Sequence, residues 1–215
     1  MAYSLGDLKA RIADDIARSD LSTQIASAIN DAIDHYETTR FYFNESSASA
    51  PITFSTVATQ STYTVTDNPY IPLFFEFDDL LATTAGTIIY PLARRDTDEI
   101  TLDIANGLSE GDPYDWGWQN GQILLYPIPN AVRTITILGA YKIAAPTSDA
   151  DTTNVWISEA FELLRCYAKF LLFGHVIRDM DQAGNMAQLA ELAKSKLERE
   201  TSSKRATGII RGTSF

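Results

Sequence analysis

Cysteine is nearly absent from this chain of 215 residues. Cys166 stands alone, so no internal disulfide can staple the fold. Long apolar runs are missing too. The best, Phe170 to Ile177, contains His175 and is far short of the roughly 18 residues that a membrane span needs. Residues 1–4 lack the basic segment and apolar stretch of a secretory signal, so the expectation is a soluble protein made in the cytoplasm. Positive charge is scarce: 17 Lys+Arg stand against 28 Asp+Glu, a net charge of -11. Gripping nucleic acid takes clustered Lys and Arg, so that class is disfavoured. No Gly-rich phosphate loop, zinc spacing or dinucleotide fingerprint occurs. The sequence therefore predicts no cofactor and no metal site.

What is present reads as an ordinary globular protein, 45% hydrophobic and 21% charged. Its charge is uneven. Residues 202–215 carry Lys204, Arg205 and Arg211 and no acid. Removing those three leaves 14 basic residues against the 28 acidic ones in 1–201. An acidic body thus ends in a short basic tail.

Hydrophobic periodicity divides the chain. Ser4 with Asp7 forms a capping-box pattern, and Leu5, Leu8, Ile12 and Ile16 recur on one helical face. Ile25, Ile29, Ile33 and Tyr36 make a second stripe. From Phe41 the texture changes to strand formers. Residues 52–55 and 62–65 suggest a hairpin, and further strands are expected at 73–77, 86–92, 121–126 and 133–141. A short helix fits within 94–104. Residues 146–153 read as a polar linker. A long helix from about Asn154 to Arg178, a break near 179–182 and another helix to about Arg199 follow. The expected fold is α+β. Residues 1–44 and 146–201 form one helical bundle, 45–145 a small antiparallel β-barrel or sandwich inserted in it, and 202–215 a flexible C-terminal arm.

Few residues offer chemistry. His35 and His175 sit in expected helices with no nucleophile-elbow pattern around any serine, and read as structural. Cys166 lies mid-helix beside Arg165 without a paired base, and reads as a small core residue. Asp149, Asp151 and Thr153 resemble the start of a calcium loop. The loop's glycine and bidentate glutamate are replaced by Asn154 and Ala160, so linker and helix cap fit better. The stretch 111–118 sets Asp112 and Asp115 beside Trp116 and Trp118. That pattern could hold a sugar or supply an acid/base pair, and a turn into the 121–126 strand is the plainer reading.

The order of segments carries more. The N-terminal "LGDLKARIADDIARSDLSTQIASAINDAIDHYETTRFYFN", the strands of "GDPYDWGWQNGQILLYPIPNAVRTITILGAY" and the helix "WISEAFELLRCYAKFLLFGHVIRD" together resemble the head-to-tail adaptor proteins of tailed bacteriophages. The resemblance covers nearly the whole chain and includes adaptors with a β insertion. It implies a non-enzymatic virion protein, forming a ring of twelve subunits between the portal and the tail. Implied partners are the portal protein, neighbouring copies, and a tail or stopper protein below. The genome would pass through without specific binding, and no membrane is involved. An acidic channel wall would repel phosphate. Lys204, Arg205, Ile209, Ile210, Arg211 and Phe215 are the expected contacts to the portal or a neighbouring subunit. The alternative is a carbohydrate-binding or cell-wall-hydrolysing tail protein resting on Trp116, Trp118, Asp112 and Asp115.

Overall fold

The computed structural model describes residues 3–47, 49–84, 88–107 and 110–205. It is α+β, and it divides into two compact units. One takes residues up to 43 and from 143 onward; the other takes residues 44–142.

In the first unit, α1 spans Leu5–Asp15 and α2 spans Ser22–Tyr36. The capping box forms as the sequence implies: Ser4 Oγ accepts from Asp7 N, and Asp7 Oδ2 accepts from Ser4 N at 2.8 Å. Two further donors at this helix start find carbonyls far along the chain. Leu5 N donates to Asp151 O, and Gly6 N donates to Asp149 O at 2.9 Å. The 146–153 segment, read as a plain linker, thereby satisfies the orphan N–H groups that open α1.

Phe41 to Phe43 do not form a strand. Residues Tyr42–Asn44 make a 3-10 turn, because Phe41 is fully buried and packs with Trp156 in the helical core. After residue 143 come α4 (Val155–Glu159), α5 (Phe161–Leu171), a π-helical turn (Leu172–Ile177) and α6 (Met180–Arg205). The single helix expected over 154–178 is thus broken at Ala160 and widened at its end. Asn154 caps α4, accepting from Trp156 N at 3.0 Å. Arg178 in the left-handed region (φ 62°) turns the chain into α6, near the expected break.

One cluster of buried side chains joins both stretches of this unit: Leu8, Ile12, Ile25, Ile29 and Ile33 with Trp156, Leu163, Leu164 and Leu197. Neither pair of helices could cover its own stripe. Tyr36 lies in this cluster, and burial pushes its phenol up to about 12.

Residues 202–205, expected as the start of the arm, are helical, and the rest of the expected arm lies outside the described residues. Helix α6 continues through Arg205. Thr201 is buried, and its Oγ1 both donates to Leu197 O and accepts from Tyr42 N at 3.0 Å. Lys204 and Arg205 suit the negative end of the helix dipole.

The second unit is a curled half-barrel. Its strands are β1 (Glu45–Ser46), β2 (Ile52–Ser55), β3 (Thr62–Tyr63), β4 (Phe74–Thr83), β5 (Ile89–Arg94), β6 (Glu110–Gly111), β7 (Asp115–Gln119), β8 (Gln122–Tyr126), β9 (Ile128–Pro129) and β10 (Thr134–Tyr141). The main sheet runs β1-β10-β4-β5-β7-β8-β3, with β2 also on β10 and a separate β6-β9 pair. The expected 52–65 hairpin does not form: β2 joins β10 and β3 joins β8. Nor is the unit purely antiparallel, since β5–β7 and β6–β9 are parallel. Helix α3 (Thr97–Ala105), foreseen within 94–104, is the crossover that makes the first of these possible. Gly117 lets it sit close, because a Cβ there would meet Thr97 Cγ2 at 2.7 Å. The longest pairing of the sheet is β4–β10. Its register shifts between Leu138 and Gly139, where strict in–out alternation also lapses.

Candidate interaction surfaces

Within the helical unit, the last turns of α6, the turn at 42–44 and the start of α5 frame a groove of about 330 Å³. Tyr42 is its central side chain. Its hydroxyl donates to a Glu159 carboxylate oxygen. Lys204 Nζ lies over the ring at 3.2 Å from the centroid. Burial first, and then the Glu159 carboxylate, hold the phenol well above its ordinary value, so it stays a donor. Tyr3 packs against Phe161 with ring centroids 4.5 Å apart and the rings tilted, and Arg11 lies over Tyr3 at 4.3 Å. Glu200 and Lys196 complete the lining. Aromatic faces with charges of both signs can receive an amphipathic peptide.

Lys204 of the expected partner contacts is therefore engaged with Tyr42, while Arg205 ends the helix exposed. Ile209, Ile210, Arg211 and Phe215 lie outside the described residues. The sequence reading missed Tyr42, Glu159 and Tyr3. The signal available was weak: Tyr42 sits in an aromatic triplet that mimics a strand.

The residues weighed for catalysis are occupied otherwise. Arg95 Nη1 donates to Asp115 at 2.9 Å and to Asp103 at 3.1 Å, and Nη2 donates to Glu99, pinning α3 to β7. Asp112 accepts from Arg133 Nε at 2.7 Å. Trp116 is buried in the sheet core, and Trp118 packs against Phe77 at 4.7 Å. Neither carboxylate stands free, and Trp116 offers no open face to a sugar. His35 stacks on Tyr167 at 4.5 Å. Burial pushes the Cys166 thiol up, the opposite of an activated thiolate. Asp149 pairs with Lys9 at 2.6 Å. Asp151 spends Oδ1 on Thr153 N, Thr153 Oγ1 and Asn154 N, and those bonds, the Thr153 backbone first, lower its pKa. Among the described residues no cluster of three His, Cys, Asp or Glu is placed to hold a metal, and no helix is long and apolar enough to cross a membrane.

The exposed Asp residues of α2 meet no Lys or Arg on that helix, whereas α6 carries exposed charges of both signs. On α2 the exposed side carries Asp31 and Asp34, neither in an ion pair among the described residues. On α6 the exposed side carries Lys196 and Arg199, also unpaired among the described residues, whereas Lys194 bridges Glu191 and Glu198. Two apolar features accompany these charges. Leu189 and Leu192 stand out from α6, 44% and 67% exposed. A groove of about 250 Å³ lies between α2 and the π-helical turn, lined by Ala28, Leu171, Leu172 and Val176.

A family model described as SU10 adaptor protein matches residues 3–212. No curated protein matches the chain.

Proposed function

The chain belongs to the SU10 adaptor protein family, a family of phage head-to-tail adaptors, and from that premise we propose that it forms a ring between the portal and the tail. The observation that carries this reading is the extent of the match, which spans the helices, the whole β unit and the helices after it. On this reading the protein is structural and non-enzymatic, a component of the virion, and the helices from both ends of the chain act as one bundle. Twelve copies fit a portal of that symmetry, and the genome passes through the opening.

The charge of -11 supports an opening that DNA crosses without sticking. The portal, neighbouring copies and a distal tail protein are the partners. Residues Ile209, Ile210, Arg211 and Phe215, carried on from the exposed end of α6 at Lys204 and Arg205, supply the contact to the portal or a neighbour. Apolar residues among Ser, Thr and Gly gain by burial against a partner what they cannot gain alone.

The test is reconstitution. The purified chain, mixed with portal rings, should add one ring of density beneath them in electron micrographs. The chain shortened after Arg205 should fold equally well and fail to add it. Full occupancy by the shortened chain would move the docking site to the helices. Turnover of cell-wall polymer by the purified chain would overturn the structural reading altogether.

A further inference from the structure

We propose that Leu189 and Leu192 of one copy seat in the groove between α2 and the π-helical turn of a second copy, forming a head-to-tail contact. This inference rests on the ring reading and specifies the surface that would build it. Leu189 and Leu192 lie three residues apart, so they make one apolar knob on α6. The groove has an apolar floor, with Ala28 and Leu172 nearly closed to solvent and Val176 41% exposed on its wall. Ser27 and Asp31 form its rim. Neither leucine fills the groove of its own copy, since both are exposed where they stand.

Charge matches the two surfaces. Past the knob come Lys196 and Arg199, four and seven residues beyond Leu192, or about 6 and 10 Å along the axis. Past the floor residue Ala28 come Asp31 and Asp34, three and six residues on, or about 4.5 and 9 Å. Among the described residues, none of the four has an ion-pair partner. A chain of net charge -11 repels its copies, and a local match of this kind offsets that repulsion. Because knob and groove sit on different elements, each copy gives one and receives one. A repeated contact of that heterologous type closes into a ring when its rotation divides the circle.

The experiment is oxidative cross-linking. Leu192→Cys and Ser27→Cys are made singly and together; both sites are exposed, and the wild type with its buried Cys166 is the control. The double variant should give a ladder extending beyond dimer on a non-reducing gel, and each single variant should stay monomeric. Asp31→Lys should cut the ladder about tenfold, and adding Lys196→Glu should restore it. Cross-linked dimers from Leu192→Cys alone would overturn the proposal in favour of a symmetric α6–α6 contact. Rings seen by electron microscopy without the ladder would overturn this contact and leave the ring reading intact. A chain monomeric both in solution and on portal rings would overturn both.

Discussion

Arg165 on α5 grips Asp15 on α1 with both arms of its guanidinium, Nε to Oδ2 at 2.8 Å and Nη2 to Oδ1 at 2.9 Å. The two residues are 150 positions apart in sequence. Lys169, one turn on and 8% exposed, donates to the same Oδ2 at 2.8 Å. A planar fork meeting a carboxylate in this way is the strong form of the ion pair.

That geometry sets a pH dependence. The Arg165 hydrogen bond, opposed by burial and reinforced by Lys169, lowers the Asp15 pKa. A carboxyl depressed in the folded state stabilises above its unfolded pKa, near 4, and loses that contribution as pH falls through the lower folded value. Asp15→Asn should cost about 1–3 kcal/mol at pH 7. The gap to wild type should narrow steadily below about pH 4. Urea unfolding at a series of pH values checks both; a constant gap down to pH 2 would exclude the ion pair as its source.

Leu163 is 1% exposed in the cluster shared by residues 5–41 and 156–197. Leu163→Ala should cost about 2–5 kcal/mol. The denaturant midpoint should fall while the slope stays the same. A loss under about 0.5 kcal/mol would mean that the site is open to solvent.

Gly139 marks the register shift of β10. A Cβ there would meet Glu76 O at 2.2 Å and Phe77 Cα at 3.0 Å, both main chain, and its φ is +154°. Gly139→Ala must push β4 and β10 apart, at a cost of about 2–4 kcal/mol. Amide exchange should quicken first at residues 76–80 and 137–141. Unchanged protection there would show that the strands absorb the methyl without parting.

Arg95 holds two acids of α3, Glu99 and Asp103, together with Asp115 of β7, which is 7% exposed. Arg95→Met should lower the denaturant midpoint, because the nearly buried Asp115 loses its partner. Adding Asp115→Leu should recover a large part of that loss. A double variant no better than the single would locate the damage in packing around the arginine stem instead.

Local signals carried much of the fold into the sequence. The Ser4–Asp7 box, the isoleucine row of α2 and the alternation of β10 each read correctly because their causes lie within a few residues. The failures have distant causes. Phe41 to Phe43 read as a strand, since nothing nearby announces Trp156. Residues 52–65 read as a hairpin, because the pull of β10 and β8 comes from sixty or more residues away. Ser202 and Ser203 read as the start of a tail, since the Thr201–Tyr42 bond that prolongs α6 is tertiary. The surfaces fared likewise. The basic tail was visible in composition, whereas the Leu189–Leu192 knob needed the helix rotation fixed by Ala183, Ala190 and Leu197 on its opposite side.

The shared cluster of residues 5–41 and 156–197 also has a consequence in time. A ribosome adds about 5–20 residues per second, so the α1 and α2 stripes emerge on the order of ten seconds before α5 exists to cover them. The whole β unit is synthesised in that interval, and its own core needs nothing made later than Tyr141. The nascent chain thus carries a finished sheet behind two bare apolar helices. Anything that stalls translation between residues 142 and 155 leaves that apolar surface uncovered.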